Sequence, residues 1–400
     1  MNKENKLIPE LRFPEFKNEG EWDEKTLIDV CDITNGKANA QDHVENGKYP
    51  LFDRSEVIKA SDEFIFDSEA VIIPGEGMRF IPKYYEGKFN LHQRAYALKD
   101  FKCSGQFVYY SMLHRSALIS QKAVQSTVLS LRLPILQKFP LEIPINPKEQ
   151  EKIASCLSSL DEVISAHSQK LEVLKDHKKG LMQILFPSAG EKVPKYRFKE
   201  FENDGDWVEK KLGDIAELTS SKRVHLSDYV SSGVPFFRGK EISQLKTNQF
   251  PNDLLYISIE HYKEIKDKYG IPKKGDILIT AVGTLGNVYC IKNDDEFYFK
   301  DGNLIWMKNI SIDSHFLEVL LDVEKEKVLA SAIGSSQKAL TMAALNKIEF
   351  PIPKNPQEQQ KIASCLSSLD TLITAQQEKI EQLKLHKKGL MQGLFPKIKE

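Results

Sequence analysis

The hydrophobic residues of the chain recur at alternating spacings of four and three positions in two long stretches. Such spacing, sustained over roughly four to five heptads, predicts coiled-coil helices rather than ordinary surface helices. The predicted seam positions of the first helix are Ile153, Leu157, Leu160, Ile164, His167, Leu171, Leu174, Lys178, Leu181 and Leu185. Those of the second helix are Ile362, Leu366, Leu369, Ile373, Gln376, Ile380, Leu383, Lys387, Leu390 and Leu394.

Both helices have the same predicted start. Asn146 and Asn355 are predicted N-caps, and each is followed by a proline at the first helical position. Glu149 and Glu358 occupy the third helical position, which predicts a variant of the capping box. A further proline shortly after each apolar pattern predicts the two ends.

The two helical stretches are copies of one another. Residues 152–187 and 361–396 are identical at 26 of 36 positions, with a constant offset of 209. Upstream, the Arg-Phe-x-x-Phe…Trp pattern at 12–22 recurs at 197–207, with an offset of 185. Because 209 − 185 = 24, the second copy has about two dozen more residues than the first between its leading segment and its helix. The chain therefore repeats a leading segment, a variable region and a helix.

The polar seam positions suggest how the two helices pair. In an antiparallel pairing whose position numbers sum to 554, His167 lies opposite Lys387 and Lys178 lies opposite Gln376. Apolar seam residues then face apolar seam residues. Polar seam residues specify the register of a coiled coil at a cost in stability, so this pairing is the predicted register.

The variable regions are predicted to contain mainly strands with a few short helices. Predicted strands are 70–73, 96–98, 141–145, 276–280, 286–291 and 303–307, and predicted helices are 106–121 and 313–333. The predicted domains are 1–146, a helix at 147–187, a linker at 188–194, a second domain at 195–355, a helix at 356–396 and a tail at 397–400. The fold class is thus α+β, with two α/β domains.

Composition limits the compartment and the partners. No run approaches the roughly eighteen apolar residues that a membrane span needs, and the N-terminus has no apolar signal region, so a cytoplasmic protein is expected. The five cysteines are scattered and form no C-x-x-C or zinc spacing. A net charge of −1 argues against a strong stand-alone nucleic-acid binder, because phosphate contacts dominate such affinity.

No catalytic or metal-binding pattern is present. The two Asn-Pro pairs match only half of the Asn-Pro-Pro-aromatic motif of amino-methyltransferases, and helix capping explains them. Asp253 with the Glu264-Ile265-Lys266 segment has the composition of a Mg²⁺-dependent nuclease site, but chance spacing in a highly charged chain explains it better. The segment 283–286 lacks the third glycine of a dinucleotide loop and is predicted to be a turn. We therefore expect no catalytic residue, no metal and no cofactor in this chain.

Nucleic-acid contacts are the remaining candidate chemistry. Arginine and amide side chains recognise base edges, whereas lysine and polar groups bind phosphate and sugar. The candidates in the first half are Lys37, Arg79, Lys83, Tyr84, Lys88 and Arg94, and those in the second half are Lys222, Arg223, His225, Arg238, Lys240, Thr284 and Asn287. Read alone, such segments are more often solvated loops than DNA contacts, but their occurrence on two copies of one scaffold favours DNA contact.

Several of these segments together resemble a known family. They are Pro-Lys-Glu-Gln at 147–150, Pro-Gln-Glu-Gln at 356–359, the Lys-Lys-Gly-Leu-Met-Gln segments ending in Leu-Phe-Pro, the 12–22 and 197–207 patterns, and Gly-Asp-Ile-Leu-Ile at 275–279 before Val-Gly-Thr-Leu-Gly at 282–286. The chain resembles, along essentially its whole length, the specificity subunit of type I restriction–modification systems.

The resemblance implies two target-recognition domains separated by an intramolecular antiparallel coiled coil with pseudo-two-fold symmetry. Each domain would recognise one half of a bipartite, asymmetric site in double-stranded DNA. Two methylation subunits, which carry S-adenosylmethionine, would dock on the coil, and restriction subunits would use ATP and Mg²⁺. The resemblance implies no catalytic residue in this chain, and partner subunits could supply the missing positive charge.

The length of the coil suggests a further role. A helix from Pro147 to Phe186 is about 60 Å long at 1.5 Å per residue, and half-sites one DNA turn apart lie about 34 Å from centre to centre. The coil is therefore predicted to set the half-site spacing. Two alternatives stay open: a self-contained restriction–methylation enzyme, and a DNA-binding scaffold or regulator without a modification partner.

Overall fold

A computed structural model of the chain describes residues 7–125, 128–247, 249, 251–335 and 338–397. The tail predicted at 397–400 therefore lies outside the described residues except for Lys397. The chain divides into two compact units: Met1–Gln169 with Glu378–Glu400, and Lys170–Gln377. Each unit contains one variable region and a segment of each long helix.

The first unit is built around a six-stranded sheet. Its elements are β1 (Asp23–Thr26), α1 (Leu27–Val30), β2 (Asp32–Asn35), β3 (Tyr49–Phe52), β4 (Lys59–Ser61), β5 (Phe66–Pro74), β6 (Lys83–Leu91), β7 (Ala95–Lys99), α2 (Gly105–His114), α3 (Ser116–Lys122), α4 (Leu133–Gln137), β8 (Pro140–Ile143) and the first part of α5 (Pro147–Ile184), with 3-10 turns at Pro14–Phe16 and Ala40–Asp42. The sheet order is β2-β7-β5-β6-β3-β4, and β1 pairs separately with β8. The last part of the second long helix completes this unit.

The second unit divides the corresponding strands between two sheets. Its elements are the last part of α5, β9 (Val208–Lys211), α6 (Leu212–Ile215), β10 (Glu217–Thr219), β11 (Tyr229–Val230), β12 (Val234–Phe237), α7 (Gly239–Lys246), β13 (Leu255–Ile257), α8 (Ile259–Tyr269), β14 (Ile277–Thr280), β15 (Val288–Cys290), β16 (Tyr298–Phe299), β17 (Leu304–Lys308), α9 (Ser314–Val323), α10 (Lys325–Ala330), α11 (Met342–Leu345), β18 (Glu349–Ile352) and the first part of α12 (Pro356–Leu394), with 3-10 turns at Lys199–Phe201 and Leu226–Asp228. The sheet orders are β10-β17-β14-β15 and β11-β13-β12-β16, and β18 pairs with β9.

The registers of the strands locate the extra residues of the second unit. β3 corresponds to β12 at an offset of 185, and β7 corresponds to β17 at 209. Val71 pairs with Leu98 as Ile277 pairs with Met307, which gives an offset of 206 for β5 and β14. Hence 206 − 185 = 21 of the 24 extra residues lie between β12 and β14, where α7, β13 and α8 occur. The remaining three lie between β15 and β17.

The predicted short elements agree with the structure in type and place. The strand predicted at 70–73 lies within β5, and that at 303–307 coincides with β17 apart from its first and last residue. The helix predicted at 106–121 is two helices, α2 and α3, which meet at Arg115. Backbone angles of −98° and 12° at this residue interrupt the helix. Its guanidinium is buried and pairs with Glu142, which explains the break.

Both long helices begin at the predicted proline. The Oδ1 atoms of Asn146 and Asn355 accept the backbone N–H two residues later at 3.0 Å, so the predicted N-caps are confirmed. The predicted capping box is wrong. Glu149 instead accepts two hydrogen bonds from the guanidinium of Arg12, at 2.7 and 2.8 Å, because a bidentate charge-assisted pair is stronger than a bond to a backbone amide. Glu358 has the same relation to Arg197.

The predicted seam follows the buried side of both helices. None of its twenty residues is exposed, and the flanking positions are mostly exposed. In the first unit, Lys387 of the second long helix bonds both carboxylate oxygens of Asp161 in the first long helix, at 2.5 and 2.6 Å. In the second unit Lys178 bonds Asp370 at 2.6 Å.

The predicted register is wrong by about one heptad. Both lysine–aspartate pairs have position numbers that sum to 548, not 554, so Lys387 pairs with Asp161 rather than meeting His167. Lys178 likewise pairs with Asp370 rather than meeting Gln376. Heptad periodicity is unchanged by a shift of seven positions, so only the facing polar seam residues favoured the predicted register, and the two lysines instead bond aspartates beside the seam. Packing of the helix ends into the domain cores fixes the register instead.

Within the described ranges, no helix combines the length and apolar character that crossing a bilayer requires.

Candidate nucleic-acid interface

Two adjoining clefts in the first unit lie where loops leave the ends of strands. The first, of about 540 Å³, is lined by Asn39, Gln41, Asp53, Arg54, Lys59, Glu76, His92, Gln93 and Arg94. The second, of about 650 Å³, is lined by Arg54, Ser55, Glu56, Pro74, Gly77, Met78, Arg79, Ile81 and Lys83. Arg54 lines both clefts. We call this combined surface the first recognition face.

Ion pairs hold part of the first recognition face. Lys59 pairs with Asp53 at 2.7 Å, and Arg94 pairs with Glu76 at 2.8 Å. The exposed Arg54 has no ion-pair partner among the residues that the structure describes, and the same holds for Arg79. The pairs orient the loops, and the two unpaired guanidinium groups are available to an anionic or amide-accepting partner.

The lysine and histidine of this face are partly buried. Lys83 donates from Nζ to the carbonyl of Ser55 at 2.5 Å, and burial lowers the pKa of its ammonium group. Burial also lowers the pKa of His92, whose Nδ1 accepts the backbone N–H of Arg94 at 3.1 Å. His92 is therefore neutral at pH 7 and presents one imidazole nitrogen as a donor.

The second unit has one corresponding cleft, of about 510 Å³. Its lining residues are Arg238, Gly239, Lys240, Ser243, Gln244, Gln249, Val282, Gly283, Thr284 and Asn303. We call it the second recognition face. One wall is the start of α7, which the additional 21 residues supply, and the other is the turn between β14 and β15.

Hydrogen bonds to the Thr280 side chain stabilise the β14–β15 turn. Thr280 donates its hydroxyl to the carbonyl of Thr284, and its Oγ1 accepts the Asn287 N–H at 2.9 Å. Gly283 and Gly286 have φ of 82° and 72°, which side chains rarely adopt, so glycine is favoured at both. Asn287 also donates to Ser243 Oγ at 2.8 Å and thereby joins the turn to α7.

Charges on the second recognition face are mostly paired. Arg238 binds Glu241 at 2.6 Å, and this hydrogen bond raises the pKa of the arginine. Lys240 lies 3.8 Å from the exposed carboxylate of Asp253. The remaining polar side chains are the hydroxyls of Ser243 and Thr284 and the amides of Gln244, Gln249 and Asn303. Because side-chain amides both donate and accept, they suit base edges better than phosphates.

The structure brings together about half of the predicted contact residues. Arg79, Lys83 and Arg94 line the first recognition face, and Arg238, Lys240 and Thr284 line the second. Asn287 supports the second face from behind.

The other predicted residues lie elsewhere. Tyr84 donates to Glu69 at 2.9 Å inside the first unit, and Lys88 lies over the Phe64 ring at 4.8 Å. Lys222 lies over a tyrosine ring, and Arg223 pairs with Asp301 at 2.8 Å. The exposed Lys37 and His225 line none of the three clefts, and the His225 backbone N–H bonds Asp228.

Sequence reasoning missed Arg54, Asn39, Gln244 and Asn303. A signal for Arg54 exists: the strand that precedes it, β3, aligns at an offset of 185 with β12, which precedes Arg238. No comparable signal exists for Gln244, because the segment that contains it has no counterpart in the first half.

The chain is similar to characterised families and structures along nearly its whole length. The family model described as "Type I restriction modification DNA specificity domain" matches residues 19–176 and 204–385. The putative type I restriction enzyme MjaX specificity subunit of Methanocaldococcus jannaschii is 27% identical over 381 residues, covering 93% of this chain and 79% of that protein. A putative type I restriction enzyme specificity subunit of Haemophilus influenzae is 27% identical over 377 residues, covering 90% and 89%.

A solved structure has the same fold. The crystal structure of the type I restriction-modification system S subunit from M. genitalium matches with a TM-score of 0.68 and 19% identity, and the match covers 98% of this chain and all of that chain. At this identity the likeness establishes the fold alone.

Proposed function

Because this chain belongs to the family of type I restriction–modification DNA specificity subunits, we propose that its two recognition faces each bind one half of a bipartite DNA site. The observation that carries this proposal is the contrast within the chain. Two units share one scaffold, yet their clefts present different side chains. Different side chains on equivalent scaffolds recognise different base pairs, so the target is asymmetric.

The chemistry of the faces supports different modes of recognition. On the first face, Arg54 and Arg79 are exposed and suit guanine edges or phosphates. On the second face, Asn303 suits an adenine edge, whereas Gln244, whose Oε1 is buried, offers only its amide donors. Few unpaired cations face the DNA, so we propose that partner subunits supply part of the phosphate contacts. This agrees with the net charge of −1.

We propose that two methylation subunits dock on equivalent surfaces of α5 and α12. Exposed residues are free of packing constraints, yet many are identical between the helices. Such exposed identical pairs are Ser155 and Ser364, Glu172 and Glu381, Lys175 and Lys384, His177 and His386, Lys179 and Lys388, and Gln183 and Gln392. Repetition of a surface that carries no core contact supports repeated binding of the same partner.

The chemical steps belong to partner subunits in this proposal. The methylation subunits would hold S-adenosylmethionine, and restriction subunits would hold ATP and Mg²⁺, in the cytoplasm. This chain would contribute recognition rather than catalysis, as specificity subunits generally do. A scaffold or regulator without a modification partner is not favoured, because the family match extends over both domains and most of both helices.

We also propose that the length of the helices sets the spacing of the half-sites. Inserting one heptad into each helix should lengthen the recognised spacer and leave both half-sites unchanged. Altered half-sites with an unchanged spacer would refute this role.

Long-read methylome sequencing tests the recognition proposal directly. Cells that express the wild-type chain with its methylation subunit should methylate adenine at one split, asymmetric motif. Arg54→Ala with Arg79→Ala should relax the first half-site only, and Arg238→Ala with Gln244→Ala the second only. Each lost base contact should cost about 1–3 kcal/mol of discrimination.

Matched controls come from exposed cations outside the clefts. Lys88→Ala and Arg223→Ala should leave both half-sites unchanged. If the control variants alter the motif as strongly as the face variants, the assignment of the clefts is wrong. An unchanged methylome on deletion of a demonstrably expressed chain would favour the scaffold alternative.

Native mass spectrometry tests the docking proposal. The wild-type chain should bind two methylation subunits, Lys179→Glu should bind one, and Lys179→Glu with Lys388→Glu should bind none. Asp176→Asn, at an exposed position where the helices differ, is the control. Loss of both subunits from the single variant would argue against two equivalent surfaces.

A further inference from the structure

Three metal-ligating side chains meet in the second unit, away from the recognition face. Cys290 ends strand β15, and His315 and Glu318 lie one turn apart near the start of α9. One thiol sulfur, one imidazole nitrogen and one carboxylate oxygen all lie within 4.8 Å of one another. His315 Nδ1 is 3.6 Å from Glu318 Oε2. The three side chains thus converge on one point between a strand and a helix.

The equivalent niche in the first unit has a different content. α2 and α9 have equal lengths and correspond at an offset of 209, so His315 and Glu318 correspond to Gln106 and Tyr109. Val71 pairs with Tyr84 as Ile277 pairs with Cys290, so Cys290 corresponds to Tyr84.

In the first unit, aromatic packing fills this niche. The rings of Tyr84 and Tyr109 lie 5.9 Å apart, between the sheet and α2. The fold therefore does not require sulfur, nitrogen and oxygen donors at these positions. Their presence together in the second unit calls for a reason other than packing.

The carboxylate of Glu318 is already oriented for coordination. Its Oε1 accepts the backbone N–H of Cys290 at 2.9 Å, which leaves Oε2 facing the imidazole. Hydrogen bonds of this kind, which fix a ligand from behind, recur around protein metal sites. Cys290 is buried, whereas the His315 side chain is 52% exposed, so the group opens to solvent on one side.

We propose that Cys290, His315 and Glu318 form a binding site for Zn²⁺ with an open fourth position for water. Thiolate, imidazole and carboxylate are the three ligand types that zinc takes in proteins, at about 2.0–2.3 Å. Small rotamer changes that shorten the present separations complete a tetrahedral arrangement. On binding, the Cys290 thiol and the protonated His315 imidazole each release a proton to solvent, and the sulfur and the ring nitrogen replace water molecules on Zn²⁺.

The bound ion would link β15 to α9 within the second unit. Since β15 directly follows the β14–β15 turn of the second recognition face, the link would stabilise the base of that turn. The first unit would gain no such link. Zinc would therefore affect the second recognition face and leave the first unchanged.

Cobalt titration of the untagged full-length chain, after chelator treatment, tests the site. Co²⁺ should give a thiolate-to-metal absorption band and visible bands of a four-coordinate ion that saturate at one equivalent. Zn²⁺ should abolish both and release about two protons per ion at pH 7, one from the thiol and one from the imidazolium. Cys290→Ser should remove the thiolate band, and Glu318→Gln should weaken Co²⁺ binding by more than about 10-fold.

Cys365→Ser is the matched control, because this thiol lies on α12, outside the niche, and the band should persist. Absence of the band in the wild-type chain overturns the proposal, and so does its persistence in Cys290→Ser. If a variant fails to fold by circular dichroism, the wild-type stoichiometry and a Zn²⁺-induced rise in melting temperature decide the question. No rise at saturating Zn²⁺ counts against the site.

Discussion

The junctions between variable region and helix are nearly the same in the two units, whereas the recognition faces differ. In the first unit Trp22, Phe107 and Phe395 form an aromatic cluster with ring separations of 5.5–6.1 Å. In the second unit Trp207, Phe316 and Phe186 repeat it at 5.6–6.0 Å. The buried arginine–glutamate pair beside each cluster is also repeated.

This contrast separates two requirements on one sequence. The junction must hold the variable region to the helices in a fixed way, so its packing and charges are constrained in both copies. Under the proposed function, the two recognition faces differ because they bind different bases, and loops and an inserted helix provide that difference. The repeated residues would then hold each variable region to the helices, and the unlike residues would determine the specificity.

The largest expected effect comes from the aromatic clusters. Phe395→Ala should destabilise the first unit by about 4 kcal/mol, and Phe186→Ala the second unit by a similar amount, because each leaves a cavity in a closed core. Hydrogen–deuterium exchange, which resolves the units separately, measures both. Clearly unequal losses would show that the two junctions are mechanically different.

Next come the buried ion pairs. Glu149→Gln and Glu358→Gln should each cost about 3 kcal/mol, since an arginine is then buried without a counter-charge. The Glu358→Gln variant should lose slightly more stability, because Glu358 also accepts the Trp207 indole N–H at 3.3 Å. Urea titrations of both variants measure this difference, and a larger loss for Glu149→Gln would contradict the assignment.

One pH effect in the first unit should have no counterpart at the equivalent position of the second unit. Burial lowers the pKa of His114, which stacks on Phe395, to about 4, whereas the equivalent position in α9 is Val323. Between about pH 6.5 and 4 the unfolded chain binds a proton that the folded chain does not, so stability falls as the pH falls. After allowance for partial solvent exposure the loss is about 1–2 kcal/mol.

His114→Val is the matched test of this pH effect, because it installs the residue of the second unit. The variant should lose the larger part of the slope between pH 6.5 and 4 in urea titrations that follow the first unit, and His92, whose pKa burial also lowers, accounts for the remainder. A slope that persists in His114→Val would assign it to another group.

The smallest effects are expected at the two lysine–aspartate pairs of the seam. Asp161→Ala should cost about 1 kcal/mol, because Asp161 also accepts the Tyr110 hydroxyl at 2.8 Å. Asp370→Ala should cost about 0.5 kcal/mol or less, because its pair is more exposed. Melting temperatures at low and high salt compare the two variants. If salt changed the stability loss of Asp161→Ala more than that of Asp370→Ala, the expected order of exposure of the two ion pairs would be reversed.

Local signals in the sequence predicted the two long helices, their starts and six of the eighteen strands in the described residues. The Asn-Pro pairs indicated where the two long helices begin, and the duplicated apolar pattern indicated that both stretches are helical. The coil register could not be predicted in the same way, since heptad periodicity is unchanged by a shift of seven positions. The partner of Glu149 was also inaccessible, because Arg12 lies 137 residues away and only the folded junction brings them together.

The lining of the clefts was predictable in part. Composition selected Arg79, Arg94, Arg238 and Lys240, which line the clefts, but it also selected Tyr84, whose hydroxyl bonds within the fold. Whether a polar residue faces solvent or the core depends on strand registers that one sequence does not specify. The cluster at Cys290 was not predicted for the same reason, because Cys290 and His315 are 25 positions apart in the chain.

The discontinuity of the first unit has a consequence for biosynthesis. Its core joins Trp22 to Phe395, so nearly the whole chain must leave the ribosome before that core can close. The second unit, residues 170–377, is continuous and is synthesised completely while the first still lacks its closing segment. The half that is made first therefore finishes folding last. Until the core closes, its aromatic side chains are exposed and can bind chaperones. Premature release of the nascent chain would therefore leave the first unit, not the second, prone to aggregation.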